Sequence, residues 1–119
     1  MTLIDTSSWV NHFRASDSTI ATLIKKGLAG THPFVVGELA VGNLKSRAET
    51  IDSFSLLPQL SLADAEEVHY LLATRRLWGK GLGWIDLHLL TATKLAGWGL
   101  YTADTGMARA ARQMDIECL

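Results

Sequence analysis

Two short apolar runs, Leu3-Ile4 ahead of Asp5 and Leu100-Tyr101 ahead of Thr102, sit near opposite ends of the chain and are too brief to be helices. Most of the sequence between them follows a helical period. Strand-length runs separated by helix-length segments predict crossover connections, and crossovers join parallel strands where hairpins would join antiparallel ones. The expectation is therefore an α/β fold, a single domain over 1–119 whose mostly parallel central sheet of about four to five short strands is flanked by helices. A chain of 119 residues suits one domain, and folding at that length buries roughly 65% of the unfolded surface. No disulfide staple is required, and the single Cys118 could supply neither a bridge nor a zinc cluster.

The punctuation between runs places the elements. Trp9, Val10 and Phe13 recur at helical spacing after a turn at Thr6-Ser7-Ser8. Ser16-Asp17-Ser18 caps a helix carrying Ile20, Leu23, Ile24 and Leu28, and His32-Pro33 opens another that ends near Gly42-Asn43. Ser46 to Leu56 is a fourth amphipathic stretch closed by Pro58, and Leu60 with Leu62 predicts a brief strand. Asp64 with Glu67 has capping-box spacing. Gly79 to Gly83 is a loop, Trp84 to Ala96 a helix stopped by Gly97, and Gly99 to Thr102 a strand. Met107 to Met114 is a last helix, and Ile116 to Leu119 a last edge strand.

No run approaches the ~18 unbroken apolar residues of a membrane span, and the acid at position 5 follows no basic leader, so a cytoplasmic, reducing address is expected. Eleven Lys and Arg against twelve Asp and Glu give a net charge of −1, which is too little for a protein that coats nucleic acid by charge alone. Four of the acids nevertheless stand in apolar surroundings. Glu38 has Phe34 and Val35 one turn before it and Val41 one turn after; Asp86 has Leu82 before it and Leu89 and Leu90 after. Asp5 ends an apolar strand, and Asp104 lies two residues beyond another. Carboxyl ends of parallel strands gather at the rim where α/β sheets bind ligands. Each acid also has a plain structural reading. Asp5 and Asp104 suit helix caps, and Asp86 suits the positive end of a helix dipole. Should all four converge, a divalent cation relieves their repulsion, and oxygen-only ligands favour Mg²⁺ or Mn²⁺. Eleven cations then face eight remaining acids, a surplus of three that suits a polyanionic substrate.

The segments Leu3-Ile4-Asp5-Thr6-Ser7-Ser8-Trp9, Gly37-Glu38-Leu39, Gly83-Trp84-Ile85-Asp86 and Leu100-Tyr101-Thr102-Ala103-Asp104, in that order and spacing, resemble the PIN domain, and within it the small VapC-type ribonuclease toxins of bacterial toxin–antitoxin pairs. The resemblance implies that Asp5, Glu38, Asp86 and Asp104 are metal-binding, catalytic acids, with Thr6, Ser7 and Thr102 as supporting hydroxyls. It also implies Mg²⁺- or Mn²⁺-dependent cleavage of structured RNA such as tRNA or rRNA, a homodimer, and inhibition by a cognate VapB-type antitoxin. One departure is Gly106, where many relatives carry a further Asp or Asn. The alternative is a catalytically inactive PIN-like module that binds a metal or a basic peptide.

Other readings fare worse. Asp5-Thr6-Ser7 and Asp104-Thr105-Gly106 mimic aspartic-protease signatures, but those enzymes are almost all-β. A receiver domain lacks its paired acids and lysine here, and a haloacid-dehalogenase phosphatase lacks its second Asp, since position 7 is Ser. The glycines at 79, 81 and 83 follow a helix, unlike a dinucleotide loop, although Lys80 among them could touch phosphate. The four histidines show no zinc spacing and suit satisfied structural roles. Arg75-Arg76 suits a solvated face before an RNA contact, and Trp9, Trp78, Trp84 and Trp98 suit core or dimer surface before base stacking.

Overall fold

The computed structural model describes residues 1–119. Three parallel strands, β1 (Thr2–Ile4), β2 (Ala29–Gly30) and β3 (Gly99–Tyr101), form a sheet of order β2-β1-β3. Thr2 aligns with Ala29 on one side and Gly99 on the other, and Ile4 with Tyr101. Strand β1 is therefore central and buried along its length, which is why its apolar run does not alternate.

Helices α1 (Thr6–Arg14), α2 (Ser18–Lys25), α3 (Pro33–Val41), α4 (Arg47–Phe54), α5 (Ala65–Thr74), α6 (Trp84–Ala96) and α7 (Thr105–Gln113) supply the crossovers and cover. Their starts follow local chemistry. Asp5, Asp17 and Asp104 accept backbone N–H bonds as N-caps, and Asp64 with Glu67 forms the expected capping box. His32 caps α3 through its Nδ1, with Pro33 in the first turn. Gly97, at φ +69°, ends α6 in the left-handed conformation a glycine adopts without strain. Helix α6 is the most deeply set, with seven consecutive buried residues from Leu87 to Thr93. It packs against α5, while α3 touches both α1 and α4. The core gathers Leu3, Ile4, Ile20, Val35, Leu89, Leu90, Leu100, Met107 and Met114, among others.

Several expectations need correction. The sheet has three strands, not four to five. The two expected outer strands contribute one isolated bridge each, Thr31 with Gln59 and Leu100 with Cys118. Pro58 has no N–H with which to extend the first ladder, and Asp115, at φ +56°, turns the chain just before the second. Strand β2 was unexpected, because a two-residue strand carries no period to detect. Its Gly30 is indispensable: any Cβ there would run into the ring of Trp98, so the indole lies directly on the strand. Helix α1 starts at Thr6, absorbing the expected turn, because Asp5 already caps it. Trp9 is core, whereas Trp78 and Trp84 are exposed.

Candidate active site

Asp5 stands where β1 passes into α1, and only 5% of it is exposed. Its Oδ1 accepts from the Ser8 N–H at 3.0 Å and from the Ser7 hydroxyl at 2.9 Å. Its Oδ2 accepts from the Thr102 hydroxyl. A backbone bond from Asp5 N–H to the Tyr101 carbonyl, 3.2 Å, holds the two strand ends side by side. The same Thr102 oxygen accepts from the Asp104 N–H at 3.0 Å. One hydroxyl thus joins the rim of β1 to the start of α7, where Asp104 Oδ1 takes the Met107 N–H at 2.9 Å. Gly106 presses close to that oxygen; a Cβ there would lie 3.3 Å from it.

Glu38 reaches the same neighbourhood from α3. It is exposed, and its Oε1 accepts from the Thr6 hydroxyl at 2.8 Å, directly beside Asp5 in sequence. Asp86 is held differently. It sits at the third position of α6, half-buried, with Oδ2 accepting from the Gly83 N–H at 2.9 Å. No hydrogen bond joins it to the other three acids. Asp5 is therefore tied to Glu38 through adjoining Thr6 and to Asp104 through Thr102, while Asp86 is fixed only to its own helix start.

The donor chemistry of these four suits a hard divalent cation. Glu38, Asp86 and Asp104 each have one carboxylate oxygen without a protein hydrogen bond, and none has a Lys or Arg partner, since the one ion pair is Arg75–Asp115. The arrangement is not a closed ligand set, however: no group of three or more His, Cys, Asp or Glu side chains is placed to hold a metal ion. The plain structural readings are also realised, with Asp5 and Asp104 as caps and Asp86 in its capping turn.

Two clefts adjoin Glu38 and Asp104. One, about 570 Å³, is lined by Thr6 and Glu38 together with Val10, Phe13, Arg14 and Lys45. The other, about 210 Å³, runs from Thr102 and Asp104 to Thr105, Arg109 and Arg112. The four flanking cations went unnoticed in the sequence; a helical wheel of α7 would have found Arg109 and Arg112 on one side.

The histidines are less settled than expected. His32 is fully buried, its Nδ1 accepts the Phe34 N–H at 2.9 Å, and its Nε2 has no partner; buried His88 has an unpartnered Nδ1. Burial, with His88 nearby, holds the His32 imidazole down to about 4. His32 is thus a neutral cap, and it starts the helix that carries Glu38. At the other edge, the Tyr101 hydroxyl bonds Asp17 at 2.6 Å, holding the Asp17 carboxyl below its usual range.

The family model described as PIN domain matches residues 2–113. Ribonuclease VapC32 of Mycobacterium tuberculosis, in two strains, is 38% identical over 117 residues, covering 98% of this chain and 94% of the relative. Among solved structures, PAE2754 from Pyrobaculum aerophilum superposes with a TM-score of 0.65 at 15% identity, covering 98% of this chain and 82% of that one. FitAB bound to an IR36 DNA fragment superposes with a TM-score of 0.66 at 15% identity, covering 100% and 94%.

Proposed function

The chain belongs to the PIN domain family, and from that premise we propose that it is a Mg²⁺- or Mn²⁺-dependent endoribonuclease that cleaves structured RNA, tRNA or rRNA. The observation that carries this reading is the Asp5 corner. A buried carboxylate at the rim of a parallel sheet is oriented by three donors and tied through single hydroxyls toward Glu38 and Asp104. The 38% identical relative bears the name of a ribonuclease.

In this proposal Asp5, Glu38, Asp86 and Asp104 would hold the cation, which would supply an activated water and neutralise charge on the phosphodiester. Thr102 and Ser7 fix the direction of the Asp5 carboxylate, and Thr6 restrains Glu38. Such restraint matters because misplacing a reacting group by about 1 Å costs on the order of 100-fold in rate. Hydrolysis forms a bond from water oxygen to phosphorus and breaks the bond from phosphorus to O3′, leaving a 5′-phosphate and a 3′-hydroxyl. The proposal includes a homodimer, a cytoplasmic site of action and a cognate VapB-type antitoxin. An antitoxin arginine suits such a site, since a guanidinium pairs two carboxylates as a cation does. No helix of the chain is long and apolar enough to cross a membrane.

A second reading, a catalytically inactive PIN-like module binding a metal or a basic peptide, is favoured by one observation: no three of the acids are placed as ligands of one ion. Cleavage of total cellular RNA by the purified protein separates the two. Discrete fragments that need Mg²⁺ or Mn²⁺, vanish with EDTA and vanish in Asp5→Asn are expected. A folded protein that binds Mn²⁺ yet leaves RNA intact would establish the binding module instead.

A further inference from the structure

Helix α7 leaves the acidic rim at Asp104 and turns its Met107, Ala110 and Ala111 face into the core. Thr105, Arg109 and Arg112 are exposed on the other side, at spacings of four and three residues that align them as one stripe. Over those seven residues the helix rises about 10 Å. The stripe and Asp104 line one cleft, so the acid and both guanidiniums face the same space.

Neither arginine is spoken for. The one ion pair in the molecule is Arg75–Asp115, and neither Arg109 nor Arg112 makes a hydrogen bond, in contrast to Arg47, Arg75 and Lys80. Arg112 has a structural use, since a cation in the last turn complements the helix dipole. Arg109, one turn earlier, is outside that effect. The stripe also continues past the helix. Arg75 bonds the Gln113 carbonyl at 3.2 Å, and Lys80 bonds the Gln113 side chain at 2.9 Å, which brings two more cations to the far end of α7. Of these four charges only Arg75 is neutralised by a carboxylate.

We propose that Arg109 and Arg112 form a phosphate track, which grips the sugar-phosphate backbone of an RNA strand on the Asp104 side of the rim and leads it along α7 toward Lys80. The track rests on the nuclease reading for its ligand, because a row of cations opening onto a phosphodiester-cutting site is most simply filled by the same polyanion. Phosphate contacts position a strand without reading its sequence, so the track sets affinity and register, and selectivity lies elsewhere.

The test is binding of a fluorescein-labelled 12-nucleotide oligouridylate, followed by anisotropy in EDTA across NaCl concentrations, so that no cleavage is needed. Asp5→Asn protein serves as the parent. Each phosphate contact on a single strand adds a slope of about −0.7 in log K against log[salt]. The pair Arg109→Gln/Arg112→Gln is therefore expected to flatten the slope by about 1.4 and weaken binding on the order of 10-fold near 0.1 M salt. Arg109→Lys/Arg112→Lys should restore most of the slope, and Lys25→Gln/Lys26→Gln at the end of α2, the same change in net charge, should leave it unchanged. An unaltered slope in the Gln pair overturns the track. So does an equal loss in the α2 control, absence of oligouridylate binding by the parent, or binding of polyglutamate in its place. Loss of binding in the Gln pair upholds the track even where Mg²⁺-dependent cleavage fails, so the two proposals fail separately.

Discussion

The Asp5 corner and the amino end of α6 hold the same chemical group in opposite ways. Asp5 is buried and bonded from Ser7, Ser8 and Thr102, the last 97 residues away in sequence. Asp86 is half-buried and bonded only to the Gly83 N–H three residues earlier, after a loop in which Gly79 and Gly81 have φ of +70° and +77°. One carboxylate belongs to the tertiary structure; the other belongs to a single helical turn. The difference teaches that membership of one proposed catalytic set does not imply one structural role. It also separates the folding cost of a substitution from its chemical cost.

The contrast breaks most visibly at Asp5. Asp5→Ala removes a helix cap and leaves buried donors unpaired, so about 4 kcal/mol of stability is expected to be lost, together with all RNA cleavage. Urea unfolding followed by circular dichroism checks the first part, and a loss below about 1 kcal/mol would mean that the corner is no keystone of the fold. A smaller effect is expected from the Glu38 arm, through the His32 cap of α3. The His32 pKa is depressed in the folded chain, from 6.5 to about 4. Its contribution is therefore complete above pH 6.5 and is lost as pH falls toward 4, amounting to about 3 kcal/mol. Urea midpoints across pH 4 to 7.5 should show that loss in the native protein and a flatter profile in His32→Asn, whose amide oxygen can take over the cap without titrating. At the small end, Asp86→Asn keeps an acceptor for the Gly83 N–H and should change stability by less than about 0.5 kcal/mol while abolishing cleavage. If it unfolds the protein as readily as Asp5→Ala, the two regions are not different in kind.

What was legible in the sequence follows the same division between local and distant. The caps at Asp17 and Asp64, the stop at Gly97 and the apolar strands β1 and β3 are all local signals, and the structure has each of them. So is the parallel sheet, through its crossovers. Strand β2 was not legible, because two residues beneath Trp98 become a strand only when β1 lies beside them. The outer strands were overread, since apolar residues at 60 and 62 say nothing about Pro58 withholding its N–H. For the candidate site, four acids in apolar settings stood out, but the difference between Asp5 and Asp86 did not. It depends on Thr102, which the resemblance makes a supporting hydroxyl but which no local pattern assigns to Asp5 over Asp86. The orphaned nitrogens of His32 and His88 were hidden for the same reason: satisfaction is a property of neighbours.

The central strand also has a consequence for when the molecule comes into being. Strand β1 leaves the ribosome well before β3, which flanks it, and before Thr102, which orients Asp5 from 97 residues further along. At about 5 to 20 residues per second, roughly 5 to 20 s separate the two during synthesis. Through that interval the rim has one wall and no fastening, and Asp5 has no partner from the far end. Completion of the Asp5 corner is thus deferred until Thr102 has been made.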